Sequence, residues 1–106
     1  MSEFIQITWT SGSIDEARRC CRYLVQERLG ASARIIPWVE AIFMLNNQLE
    51  TTQESLIHLV IPQARFEEVS AIIRKNSKYQ IPEISCTPLQ GLNEDYLAWL
   101  KEATKK

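Results

Sequence analysis

The run Leu56-Ile57-His58-Leu59-Val60-Ile61 limits the fold more than any other stretch, because apolar residues in both alternation phases belong to a strand covered on two faces. Only His58 interrupts it. Upstream, residues Ser32 to Leu45 make a second long β-branched and aromatic segment containing Ile35, Val39, Ile42 and Phe43. Between the two lies Asn46-Asn47, a pair that tolerates positive φ and marks a hairpin turn. One long hairpin is therefore predicted. Pro37 removes a ladder donor from its first arm, which predicts a bulge or bend near Pro37-Trp38 or an edge position.

The flanking segments complete a recognisable order. Phe4 to Thr10 alternates Ile5, Ile7 and Trp9 with polar residues and reads as a strand. Ser13 followed by Glu16 is a capping-box spacing, so a helix is expected from Ile14. Ala17, Cys21, Leu24, Val25 and Leu29 supply its apolar stripe, and Gly30 is placed as its left-handed terminator. Pro62 suits the first turn of a second helix with Phe66, Val69, Ile72 and Ile73 on one face. Ile84 to Leu89 reads as a last strand. Asn93 is the expected cap of a short final helix bearing Tyr96, Leu97 and Leu100.

Strand, helix, long hairpin, helix, strand is the split βαββαβ order. The fold class is thus α+β, a ferredoxin-like sandwich with a short C-terminal helix, expected as one domain over residues 1–106. Right-handed crossovers place both crossover helices on one side of the sheet, which leaves the other side without cover from its own chain. Cyclic association of identical copies through that side is expected.

Composition closes off several classes of function. A formal charge of −1, with Lys and Arg scattered, offers no field for a phosphate backbone, so nucleic acid is not an expected partner. The segment Met1-Ser2-Glu3-Phe4-Ile5-Gln6 has no basic region before an apolar one, and apolar runs span only a few residues. Neither export by that route nor a membrane span is expected, and the expected location is the cytoplasm. Three cysteines, two of them adjacent at Cys20-Cys21, do not make a disulfide framework; reduced thiols are expected. On a helix the two point about 100° apart, so one is expected in the core and the other at the surface.

Five groups of residues then resemble, in order and spacing, the CutA divalent-cation-tolerance family. They are Glu27-Arg28-Leu29-Gly30-Ala31; Ile35-Ile36-Pro37 with Val39 and Ile42-Phe43; Glu54; Tyr79 with Ile81-Pro82-Glu83-Ile84; and Tyr96-Leu97 with Trp99-Leu100. The resemblance runs from the first strand to the last helix. It implies a tightly packed homotrimer related in architecture to the PII signal proteins, in bacterial cytoplasm, with a link to copper and other divalent cations. It also implies that Trp38, Phe43 and Trp99 pack at subunit contacts. Glu54, Tyr79 and Glu83 would lie near the inter-subunit cleft, where a metal ion or small molecule would bind, and Trp38 would narrow that cleft where the family usually has glycine.

The sequence departs from the family at its soft ligands. Ser32 stands at the family's cysteine position, Arg34 at the following asparagine, Ser77 at its histidine and Val60 at its third-strand lysine. Thiolate and imidazole are the ligands copper prefers, so the family's copper ligands are replaced here by hydroxyls. The remaining soft or nitrogen donors are Cys20, Cys21, Cys86, Met44 and His58, none at a metal-binding spacing. His58 and Cys86 are the candidates for metal. His58 shares a strand face with Glu54, Leu56 and Val60, so it joins Glu54, Tyr79 and Glu83 as a cleft candidate. With one histidine, no nucleophile elbow and no glycine-rich phosphate loop, catalysis is not expected. A ligand-sensing or protein-interaction module of PII-like architecture, without metal function, is the alternative.

Overall fold

The computed structural model describes residues 3–106. Met1 and Ser2, which open the stretch read for an export signal, lie outside the described residues. The elements are β1 (Phe4–Ser11), α1 (Ile14–Gln26), β2 (Ser32–Leu45), β3 (Gln48–Pro62), a 3-10 turn (Gln63–Arg65), α2 (Phe66–Asn76), β4 (Ile84–Pro88) and α3 (Glu94–Ala103). The strands pair antiparallel in the order β2-β3-β1-β4, the ferredoxin-like arrangement expected.

Strand alternation sets the core. Ile5, Ile7 and Trp9 of β1 and Ile57, Leu59 and Ile61 of β3 face one side, where Ala17, Cys20, Cys21 and Leu24 of α1 and Val69 and Ile73 of α2 meet them. Each large side chain so buried contributes about 1.5–3 kcal/mol. The expected division of the adjacent cysteines is corrected here: both are buried, and Cys86 is the exposed thiol. The core extends sideways from α1 to β2, whose Ala33 and Ile35 pack against it, so both helix positions have cover.

Helix ends follow the expected places by partly different means. Ser13 Oγ accepts the Glu16 N–H at 3.2 Å, but the Glu16 carboxylate does not reach back to the cap. It turns inward and accepts from Ser11 Oγ at 2.8 Å, while the Ser13 N–H donates to the same hydroxyl at 3.2 Å. The inward phase Ile5-Ile7-Trp9 continues into Ser11, which places that hydroxyl under the helix start. At the other end the left-handed residue is Arg28 (φ 62°), not Gly30. Leu29 N–H donates to Leu24 O at 3.0 Å and Arg28 N–H to Val25 O at 3.1 Å, a Schellman closure. Gly30 serves close packing instead, since a Cβ there would lie 3.3 Å from Ile61 Cγ2.

Pro62 closes β3, and the 3-10 turn precedes α2. Asn93 occupies the cap position of α3, but its amide donates to Asp95 Oδ1, which accepts the Tyr96 N–H. The hairpin has the expected turn, with Asn46 and Asn47 at φ 52° and 64°. β2 is an edge strand, and its register slips between Ile36 and Val39, where Trp38 adopts φ 64°.

The second sheet face corrects one expectation, since its own chain does cover part of it. α3 covers one end of it, burying Leu100 against Phe4, Ala31 and Val60 with Leu89, Leu92, Tyr96 and Leu97 around them. The centre is polar: Arg34, His58, Thr8 and Ser85 form one in-register row across all four strands, and Gln6 pairs with Thr87 beside it. An antiparallel sheet tolerates water on such a face. Uncovered apolar surface is concentrated on the hairpin, where Trp38 is 72%, Ile42 63%, Met44 62% and Leu49 70% exposed. Ile42 and Met44 share a face, and Met44 pairs directly with Leu49.

Two arginines fasten α3. Arg28 donates to Glu102 O at 3.2 Å and Ala103 O at 3.5 Å; Arg65 donates to Arg28 O and, at 3.0 Å, to Thr104 O. Cations meet the negative end of the helix, whose last carbonyls lack partners within it.

Candidate functional site

β3 extends past the end of β1, and Glu54 sits on that overhang just beyond the Ser11–Ser55 pair. The chain leaving α2 returns to the same end of the sheet, where Tyr79 Oη donates to Glu54 Oε2 at 2.6 Å. Gly12 permits this approach, because a Cβ there would meet Tyr79 Oη at 2.8 Å. Ser77 Oγ accepts the Tyr79 N–H at 3.2 Å and helps fix the loop. Burial and then the bond to Glu54 push the Tyr79 phenol up to about 12. A small cavity of about 150 Å³ adjoins the pair, lined among others by Gly12, Pro37, Trp38, Gln53 and Glu54. Trp38, at the bulge, thus lines the same cavity as Glu54.

The other candidates lie apart. Glu54 and His58 share a strand face, but at four residues' separation they are roughly 13 Å apart along β3. His58 Nδ1 instead lies 3.2 Å from Gln6 Nε2 and 3.4 Å from Thr8 Oγ1, both on the neighbouring strand. Glu83 is exposed and accepts from Ser85 Oγ at 3.2 Å, with no hydrogen bond to Tyr79, Glu54 or His58 among the described residues.

Cys86 pairs with Ile7 and so occupies the helix side of the sheet, whereas His58 pairs with Thr8 and occupies the opposite side. One ion cannot bind both within a chain. Burial, with Glu16 adding to it, pushes the Cys20 thiol up to about 11; burial and Cys20 push Cys21 up to about 12. Both thiols are thereby kept protonated and unready for metal. Among the described residues no group of three or more His, Cys, Asp or Glu side chains is placed to hold an ion.

Ser32 and Ser77 are also far apart. Ser32 pairs with Val60 near one end of the sheet, and α2 runs about 16 Å back along it before reaching Ser77. Of the residues expected at subunit contacts, Trp38, Phe43 and Trp99 are all exposed in the single chain, and Trp99 stacks on Tyr96 with ring centroids 6.1 Å apart.

Sequence reasoning missed the buried Ser11–Glu16 pair. Its signal was present in two periods: Ser11 continues the inward strand phase, and Glu16 precedes Cys20 by four on the inward helix face. It missed the Arg28 and Arg65 clamp as well, which joins three distant segments through backbone carbonyls and leaves no periodic trace.

Replacing Tyr79 with Phe is expected to cost about 1 kcal/mol in denaturant unfolding, the low end for a bond to a carboxylate because the pair is only half-buried. The phenol's folded pKa is raised above its ordinary value of 10, so this contribution is full below about pH 10 and fades as pH rises through about 12. Equal stability of the two proteins at neutral pH would show the bond to be without effect.

Among the described residues no helix is long and apolar enough to cross a membrane. A model of the CutA1 divalent ion tolerance protein family matches residues 5–103. The divalent-cation tolerance protein CutA of Thermus thermophilus is 31% identical over 104 residues, covering 98% of this chain and 99% of that protein. The chloroplastic protein CutA of Arabidopsis thaliana is 26% identical over 91 residues; the match takes in 86% of this chain but only 50% of that longer protein. The crystal structure of CutA1 from Shewanella sp. SIB1 superposes with a TM-score of 0.93 at 25% identity, covering 99% of this chain and 98% of the other. With nearly every element inside the matched span, this chain belongs to the CutA1 divalent ion tolerance protein family.

Proposed function

We propose that the chain works as a non-catalytic homotrimer in divalent-cation tolerance, in the cytoplasm, and that the family's copper ligands are replaced in this member. The observation that carries the trimer is the exposed apolar hairpin, where Trp38, Ile42, Met44 and Leu49 are 62% to 72% exposed and the last three share one face. Other copies of the same surface are its natural cover. The proposed inter-subunit cleft is the end of the sheet that holds the Glu54–Tyr79 pair and Trp38, with Glu83 also proposed for it and His58 about 13 Å further along β3. Trp38, Phe43 and Trp99 are proposed as subunit contacts.

For metal, the proposal rests on chemistry of the donor set. Ser32 and Ser77 are hard, neutral hydroxyls, and the two buried thiols stay protonated. Titration calorimetry with Cu²⁺ on the assembled protein is therefore expected to show weak, non-stoichiometric heat that blocking the Cys86 thiol reduces. Saturable binding of one Cu²⁺ per chain, well below micromolar and indifferent to thiol blocking, would overturn the reading.

A second reading, a PII-like ligand-sensing or protein-interaction module without metal function, is favoured by one feature. The Glu54–Tyr79 pair beside its cavity offers a carboxylate and a phenol to a small polar molecule.

A further inference from the structure

A separate cavity of about 410 Å³ lies between α1 and α2, with none of the lining of the cavity beside Glu54; its Glu16 nonetheless lies near enough to Tyr79 to help raise that phenol. One wall comes from α1 as Glu16, Cys20 and Tyr23, a single helical face at four- and three-residue steps, with Arg19 flanking it. The other comes from α2 as Ile72, Lys75 and Asn76. Opposite charges thus share one small space, with an apolar stretch between them.

Glu16 is the unusual member. It is 4% exposed; its Oε2 accepts from Ser11, and its Oε1 is enclosed with no hydrogen-bond partner among the described residues. A carboxylate shut away from water with half its acceptor capacity unused is costly to the fold. Neither Arg19 nor Lys75 forms an ion pair with it among the described residues. The cations remain exposed at the mouth, so the cavity is charged negatively at its base and positively at its rim.

We propose that this cavity binds a short ω-amino acid, a molecule with an ammonium group and a carboxylate joined by a few methylenes. The ammonium donates to Glu16. The methylenes lie along Cys20 and Ile72, which offer no polar atom beyond a protonated thiol, and the carboxylate meets Arg19 and Lys75. Each end alone satisfies one half of the site, and only the zwitterion satisfies both. The lining comes from α1 and α2 alone, and the site calls for no metal.

The test follows backbone amide NMR shifts of the full chain titrated with γ-aminobutyrate, beside n-butylamine and butyrate as single-ended controls. Saturable shifts at Arg19, Tyr23 and Lys75 with γ-aminobutyrate are expected, with each control at least about tenfold weaker, the loss for removing one charge-assisted contact. Glu16→Gln, which keeps an acceptor for Ser11, should weaken γ-aminobutyrate by a similar factor; Lys75→Met, on an exposed position, should do so even if the buried substitution unfolds the chain. No saturable shift up to high millimolar γ-aminobutyrate would overturn the proposal. So would n-butylamine binding as tightly as the zwitterion, or a Lys75→Met protein binding unchanged. Loss of trimers with binding intact would count against the hairpin reading alone.

Discussion

Replacing Ile42 and Leu49 together by glutamate is expected to convert the proposed trimer into single folded chains. Both side chains are mostly exposed in the isolated subunit and project from the same face of the hairpin arms, flanking Met44. Covering two such side chains contributes about 3–6 kcal/mol per contact, so their loss weakens association roughly a hundredfold to ten-thousandfold before the cost of burying carboxylates is added. The fold itself should survive, because the substituted positions lie far from the core of β1, β3, α1 and α2. Sedimentation velocity together with circular dichroism distinguishes the outcomes: slow-sedimenting chains with unchanged secondary structure are expected. Intact assemblies would place the contact elsewhere.

The second large effect concerns α3. Leu100→Ala is expected to lower global stability by about 2–5 kcal/mol, the range for truncating a fully buried leucine whose surroundings relax only partly. Leu100 is fully buried in the small cluster with Phe4, Ala31 and Val60. Arg28 and Arg65 still hold the last carbonyls of α3, so the helix should stay attached while its amides exchange faster. Adding Arg28→Met and Arg65→Met together removes the clamp, and α3 amides should then exchange as an unfolded segment. Protection of α3 equal to that of the parent protein in both variants would show that its attachment comes from elsewhere.

Local chemistry explains which features were legible in the sequence. Asn46-Asn47 and Pro37 act through their own backbone preferences, and both did in the fold what their residue types require. Ser13 capped α1 for the same reason. Where two residues could supply one function, the sequence did not choose between them. Gly30 is the better left-handed residue in isolation, but tight packing on Ile61 claimed it and Arg28 took the strained position.

The second sheet face shows the larger gap. Val60 and Leu56 suggested an apolar surface, yet the neighbours that decide its character are Gln6, Thr8, Arg34 and Ser85, brought alongside by register. Register between distant strands is not written in any one segment. For the candidate site, Glu54 and Tyr79 proved to be bonded, whereas His58 and Cys86 were separated by the pleat that puts alternate residues on opposite faces.

Sedimentation equilibrium across a wide range of concentration is the most direct test of the idea that copies of this chain cover one another's hairpins. A single species of three times the 12.3 kDa chain mass, persisting into the low micromolar range, is the expected result. A compact species of one chain mass at the highest concentrations would contradict it.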